Sequence, residues 1–157
     1  MITTITVDDA FIAQRDHRAT IYNPYSRSQS QLKKAIECEL YEYDKIKKGQ
    51  WKDDDRWEID GHCPFLGPVD VKCIRGYYNI ERRKLLHMFA QQGIIKFYYF
   101  IEWLERPSRL LRSGDVVKFK DICSVPYKEA LQNVKVSFKT FGYYLDVRKL
   151  KESYNNV

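Results

Sequence analysis

The residues of this chain best suited to chemistry are an aspartate, Asp60, and, after a gap, the triplet Asp70-Val71-Lys72. Side chains on a strand alternate between faces, so Asp70 and Lys72 must point one way while Val69, Val71 and Cys73 point the other. An acid and a base then share one polar edge of an apolar strand. That arrangement suits a hard metal ion and a phosphate activated by it. The plainer alternative is a surface ion pair between Asp70 and Lys72, worth little.

The elements around these residues decide between the two. Leu32, Ala35, Ile36, Leu40, Tyr43 and Ile46 recur at helical spacing, which predicts an amphipathic helix over 31–48, entered through Ser28 or Ser30 as N-cap and ended by Gly49. Stepping about 100° per residue, Glu39 falls inside the apolar arc, Glu37 on the solvated side and Glu42 at the boundary. A carboxylate in an apolar stripe carries a desolvation cost unless a cation meets it. After the acidic connector Asp53, Asp54 and Asp55, a strand is expected over 56–60, with Trp57 and Ile59 on one side and Arg56, Glu58 and Asp60 on the other. A loop over 61–67 then leads to a second strand over 68–74, and the pair reads as a hairpin. His62 and Cys63, in the loop beside Asp60, lack spaced partners for a metal.

Further on, Asn79 is placed to cap a helix over 80–92 that Gly93 ends, with Leu85, Leu86, Met88 and Phe89 on its apolar side. The aromatic and β-branched run 94–103 reads as a strand buried on both faces, at the centre of a sheet. A strand over 116–125, a short helix over 127–133 entered through Pro126, and a strand over 134–147 interrupted at Gly142 complete the chain. The tail 149–157 is polar, and residues 1–25 suggest no role.

With 157 residues the chain fits one domain, and its 44% hydrophobic share is ordinary while 12 Tyr make the core aromatic-rich. A net charge of +6 and a pI near 9.1 favour a polyanionic partner such as nucleic acid. Arg82, Arg83, Lys84, Arg106, Arg109 and Arg112 are the cations to consider for phosphate contacts, and Tyr77 and Tyr78, after Arg75, can stack on bases. Cys38, Cys63, Cys73 and Cys123 form no zinc pattern and read as reduced, mostly buried thiols. No run of about 20 apolar residues is present, so the expectation is a soluble, intracellular chain with no membrane partner.

The order helix, hairpin, helix, buried strand, with acids on the first helix and both hairpin strands, resembles the PD-(D/E)XK nuclease superfamily. Restriction enzymes, Holliday-junction resolvases and phage nucleases share this fold. The resemblance runs over about residues 30–103 and is carried by Asp60, then Asp70-Val71-Lys72, with Glu39 on the preceding helix. Ile59 stands where the family's name has proline, and Asp70 where glutamate is common. The fold implied is α/β, of the α+β kind: a restriction-endonuclease-like core over about 26–103 with a mixed central sheet flanked by helices, and C-terminal strands and a short helix over 104–157.

The resemblance also implies Mg²⁺ or Mn²⁺ as cofactor, held by Asp60, Asp70, the Val71 carbonyl and Glu39. Lys72 would orient the attacking water or stabilise the phosphate, its proton affinity lowered by the metal. Lys72, Asp70, Asp60 and Glu39 would be the catalytic set, and Arg75, Tyr77, Arg82, Arg83 and Lys84 the DNA contacts. The implied activity is a metal-dependent DNA endonuclease, structure-selective for junctions or of phage type, dimerising to cut both strands. Two alternatives remain open from the residues alone: a non-catalytic basic nucleic-acid-binding module, and a small phage protein that binds a host protein.

Overall fold

The computed structural model describes residues 1–21, 28–54, 56, 59–139 and 142–154. Strand β1 (Ile2–Thr6) and helix α1 (Asp9–Ile21) occupy the amino-terminal stretch whose sequence suggests no role. Asp8 caps α1, its side chain accepting the Phe11 amide at 2.8 Å. Helix α2 (Gln29–Glu37) opens on a capping box in which Ser28 and Gln31 satisfy one another's backbone amides. Helix α3 (Leu40–Lys47) follows after a break at Cys38 and Glu39, so the single helix expected over 31–48 is two.

Glu37, expected on the solvated side, is fully buried and accepts from Arg15 Nη1 at 2.6 Å, Arg106 Nη2 at 2.7 Å and the Leu111 amide at 2.8 Å. Arg106 also lies over the Trp103 ring at 4.4 Å, so it is a structural cation rather than a free phosphate contact. Arg109 is committed too, in a bidentate pair with Asp115 at 2.8 and 3.0 Å.

The hairpin is β2 (Gly61–Cys63) against β3 (Gly67–Cys73), antiparallel, with Gly61 opposite Val69. It starts later than the strand expected over 56–60. Residues 55, 57 and 58 lie outside the described residues, and Ile59 and Asp60 precede the first strand pair. A Cβ at position 61 would meet Trp51 Cε3 at 3.0 Å, so the strand begins on a glycine where an indole presses against its backbone.

Next, β4 (Tyr77–Ile80) stands where a helix start was expected, and helix α4 (Arg82–Ala90) begins after Glu81, not at Asn79. The chain continues through β5 (Phe97–Glu105), β6 (Val116–Pro126), α5 (Tyr127–Gln132), β7 (Lys135–Ser137), β8 (Gly142–Asp146) and α6 (Val147–Tyr154). The polar tail is therefore helical as far as residue 154.

The architecture is mixed α and β. Five strands in the order β1-β6-β5-β3-β2 form a mixed sheet in which only the β3–β5 pair is parallel; β4-β8-β7 form a second, antiparallel sheet. The aromatic run of β5 takes the central position, as a strand buried on both faces should. One face packs Val69, Val71, Ile101 and Phe119 against Phe11, Leu40 and Tyr41. The other packs Tyr98, Phe100, Cys123 and Val125 against Tyr78, Met88, Leu145 and Leu150.

A bulge divides the two faces within β6. Phe100 pairs with Cys123 and Ile101 with Asp121, so the register shifts by one residue at Ile122. Asp121 thereby turns to the first face, where Tyr41 and Tyr99 donate to its carboxylate at 3.1 and 3.0 Å. The cysteines form no disulfide; Cys123 is buried, Cys63 and Cys73 are partly covered, and Cys38 is exposed. Among the described residues, no helix is long and apolar enough to cross a membrane.

Candidate metal and phosphate site

Alternation along β3 separates its side chains as its sequence requires. Val69 and Val71 sink into the core while Asp70 and Lys72 take the opposite face, with Lys72 Nζ 3.2 Å from Asp70 Oδ1. Asp70 is itself buried, at 7% exposure, so the pair is not a loose surface contact. Lys72 Nζ also lies over the Tyr78 ring, 5.7 Å from its centre.

Asp60 reaches this pair from the start of the hairpin. Its amide donates to the Val69 carbonyl at 3.0 Å, and its Oδ2 accepts the Val71 amide at 2.7 Å. The two bonds straddle Asp70, so the backbone of β3 holds the Asp60 carboxyl beside the Asp70 carboxyl.

Burial, and then the charge of Asp70 and a side-chain hydrogen bond to it, push Asp60 up to about 8 against the opposing Val71 amide and Lys72. Glu42 on α3 is raised well above the usual carboxylate range, by burial first and then by Asp60, Glu39 and Asp70. Lys72 feels the reciprocal effect. Burial opposes its charge, but Asp70, Tyr78 and Asp60 outweigh burial and hold the ammonium protonated, raising it. A dication among the acids would act on Lys72 in the opposite direction.

Lys84 on α4 is the second cation here. It is lowered by burial and by Lys72, with Asp70 and Asp60 opposing. Of the residues expected to contact DNA, Lys84 thus stands at the carboxylates, whereas Arg82 and Arg83 are simply exposed on α4. Arg75 is exposed beyond the end of β3, and Tyr77 is covered on one side by the Arg148 guanidinium, 4.7 Å from the ring centre.

Beside Asp60 opens a cleft of about 500 Å³, lined by Arg18, Glu39, Glu42, Asp60 and Asp53 over an apolar floor that includes Phe11 and Ile46. Glu39 is at this cleft but is gripped by Arg18, whose Nη1 bonds Oε2 and whose Nη2 bonds Oε1 at 3.2 Å. The acid from the preceding helix that adjoins both aspartates is therefore Glu42, one turn beyond Glu39. Its place at the boundary of the helical arc was the only trace of this in the sequence. The break at Glu39, which itself caps α3, had no local signal.

His62 is paired with Asp54, which Arg56 also engages at 3.0 Å. That trio draws His62 away from Asp60 and leaves it no part in the site. Glu58 and Trp57 lie outside the described residues.

Among the described residues, no three His, Cys, Asp or Glu side chains converge into a ready cage for a metal ion. Mg²⁺ does not require one, because it keeps several waters and is commonly held by one or two carboxylates together with substrate phosphate oxygens. Asp60 and Asp70, with the Val71 carbonyl, supply hard oxygen donors of that kind, and their mutual repulsion is what a divalent cation would relieve. The donor set fits such an ion.

No family model matches this chain, and no curated protein or solved structure matches it.

Proposed function

We propose that the chain is a metal-dependent DNA endonuclease of the PD-(D/E)XK type, with the restriction-endonuclease-like core formed by α3, the β2–β3 hairpin, α4 and β5. The observation that carries this reading is the pinning of Asp60 against the Asp70-Val71-Lys72 segment by the Val71 amide. Asp60 and Glu42 are both raised, by burial first and then by neighbouring acids, Asp70 among them in each case. Such an arrangement is costly to a purely structural protein and useful to a site that takes a cation. The antiparallel hairpin followed by α4 and a strand parallel to β3 supports the same reading.

Asp60, Asp70 and the Val71 carbonyl would hold Mg²⁺ or Mn²⁺, which supplies an activated water at neutral pH and neutralises charge building on the phosphate. The remaining work falls to the chain. The Lys72 ammonium, fixed by Asp70, stabilises the negative charge that develops on the non-bridging phosphate oxygens. Glu42, biased to its neutral form by burial and the neighbouring acids, would donate its proton to the leaving oxygen. Lys84 and the exposed Arg75, Arg82 and Arg83 neutralise flanking phosphates, a sequence-independent contribution suited to a structure-selective enzyme.

Incubation with supercoiled plasmid, linear duplex and four-way-junction DNA, with and without Mg²⁺ or Mn²⁺, tests the proposal. Nicking or cutting only with metal is the expected result. Salt-sensitive binding without cleavage would point instead to a non-catalytic module, and no DNA affinity at low salt to a factor that acts on a protein. A homodimer would allow both strands to be cut from one encounter, and light scattering during the assay would register it.

A further inference from the structure

We infer that the chain carries a second anion site, built from side chains of β6 and α6, that binds a phosphoryl group independently of the carboxylates. A cavity of about 360 Å³ is lined by Arg75, Tyr77, Glu102, Lys120, Arg148 and Lys151. Four cations thus face one another across a space in which Glu102 is the single acid.

No ion pair among the described residues engages Arg75, Lys120 or Lys151. Lys118, on the same strand as Lys120, is by contrast matched to Glu105 at 3.3 Å. Arg148 is oriented by three contacts: its guanidinium lies 4.7 Å from the Tyr77 ring centre, it donates to the Tyr77 hydroxyl, and its Nε is 3.6 Å from Asp146. Like charges gathered around an open cavity repel unless an anion joins them.

The cavity is rigidly made. The Val147 amide, at the start of α6, donates to the Gly76 carbonyl at 3.0 Å, which fastens the helix to the turn before β4 and spends that helix-terminal donor. Binding therefore rests on side chains and not on the helix terminus. Gly76 takes φ +79°, the left-handed region that glycine favours, and this turn brings Arg75 and Tyr77 to one mouth.

Register places the cavity on the face that carries Asp70 and Lys72. Asp70 and Lys72 pair with Tyr98 and Phe100, Glu102 is the next residue on that face of β5, and Glu102 pairs with Lys120. Arg75 is three residues past Lys72, on the order of 10 Å along an extended chain. The pocket size is in the range of small-ligand sites, roughly 300–1,000 Å³, which admits a phosphoryl group with an attached sugar. The recognised chemistry is a phosphate oxygen cluster, whether from a nucleic-acid backbone or a free phosphorylated ligand.

The test is the double variant Lys120→Ala/Lys151→Ala, with Lys118→Ala/Lys135→Ala as a charge-matched control, all in EDTA so that the carboxylate site is silent. Pyrophosphate binding is read by calorimetry, and binding of a labelled duplex by anisotropy across a salt series. Loss of pyrophosphate binding together with at least tenfold weaker duplex binding, and a salt slope shallower by about 2, assigns the site to backbone phosphate. Loss of pyrophosphate binding alone assigns it to a free phosphorylated ligand; weaker duplex binding alone, with no pyrophosphate binding by the parent, again assigns backbone phosphate. Unchanged binding of both, or equal losses in the control, would overturn the inference. Because the readout is binding without metal, not cleavage, this result stands or falls separately from the nuclease reading.

Discussion

The Val71 amide donates to Asp60 Oδ2 at 2.7 Å, and through that bond a residue outside the ladder is held beside Asp70. The strand that supplies Asp70 and Lys72 therefore also positions the acid that works with them.

Stability should depend on pH through Asp60. Its pKa is raised from 3.8 to about 8 in the folded protein, so the stabilisation from its neutral form is complete below 3.8 and is lost as pH rises through about 8. In EDTA the melting temperature should fall between pH 5 and pH 9, and Asp60→Asn, which keeps an oxygen for the Val71 amide, should flatten that fall. Thermal melts across the range check this, and a parent curve as flat as the variant's would contradict it.

Divalent binding should release protons. A metal that needs ionised Asp60 competes with the proton there, so affinity for Mn²⁺ should strengthen as pH rises from 6 toward 8 and level off above. Calorimetry in buffers of different ionisation enthalpy measures the proton count directly.

Glu42 and Glu39 should separate on mutation. Glu42→Gln should weaken metal-dependent activity at least tenfold, while Glu39→Gln, which only weakens the pair with Arg18 at the cleft mouth, should cost a few-fold at most. The reverse order would restore Glu39 to the site.

The buried Glu37 cluster should behave as structure alone. Glu37→Ala leaves Arg15 buried without its carboxylate, a change that costs about 3–5 kcal/mol. Chemical denaturation should show that loss, with Mn²⁺ affinity of the remaining folded protein unchanged.

Much of this arrangement was legible in the residues themselves. Alternation along 68–74 located Asp70 and Lys72 on one face of β3, and the apolar run before Trp103 located the central strand, because both depend on local periodicity. Ser28 announced α2 through its capping box with Gln31. What escaped depended on distant partners. Tyr77–Ile80 is a strand because β8 pairs with it, with Tyr77 opposite Asp146, and nothing near Asn79 records that pairing. Glu37 escaped because Arg15, Arg106 and the Leu111 amide, all distant in sequence, enclose it, and Glu42 because the turn at Cys38 and Glu39 shifts the phase that a continuous helix would have kept.

The most direct measurement of the central claim is cleavage of supercoiled plasmid by the parent and by Asp70→Asn in Mg²⁺, with folding of both confirmed by their melts. The site described here requires metal-dependent nicking by the parent and a loss of at least a hundredfold in the variant, a size typical of removing one essential electrostatic group. Equal cleavage by the two proteins would contradict it.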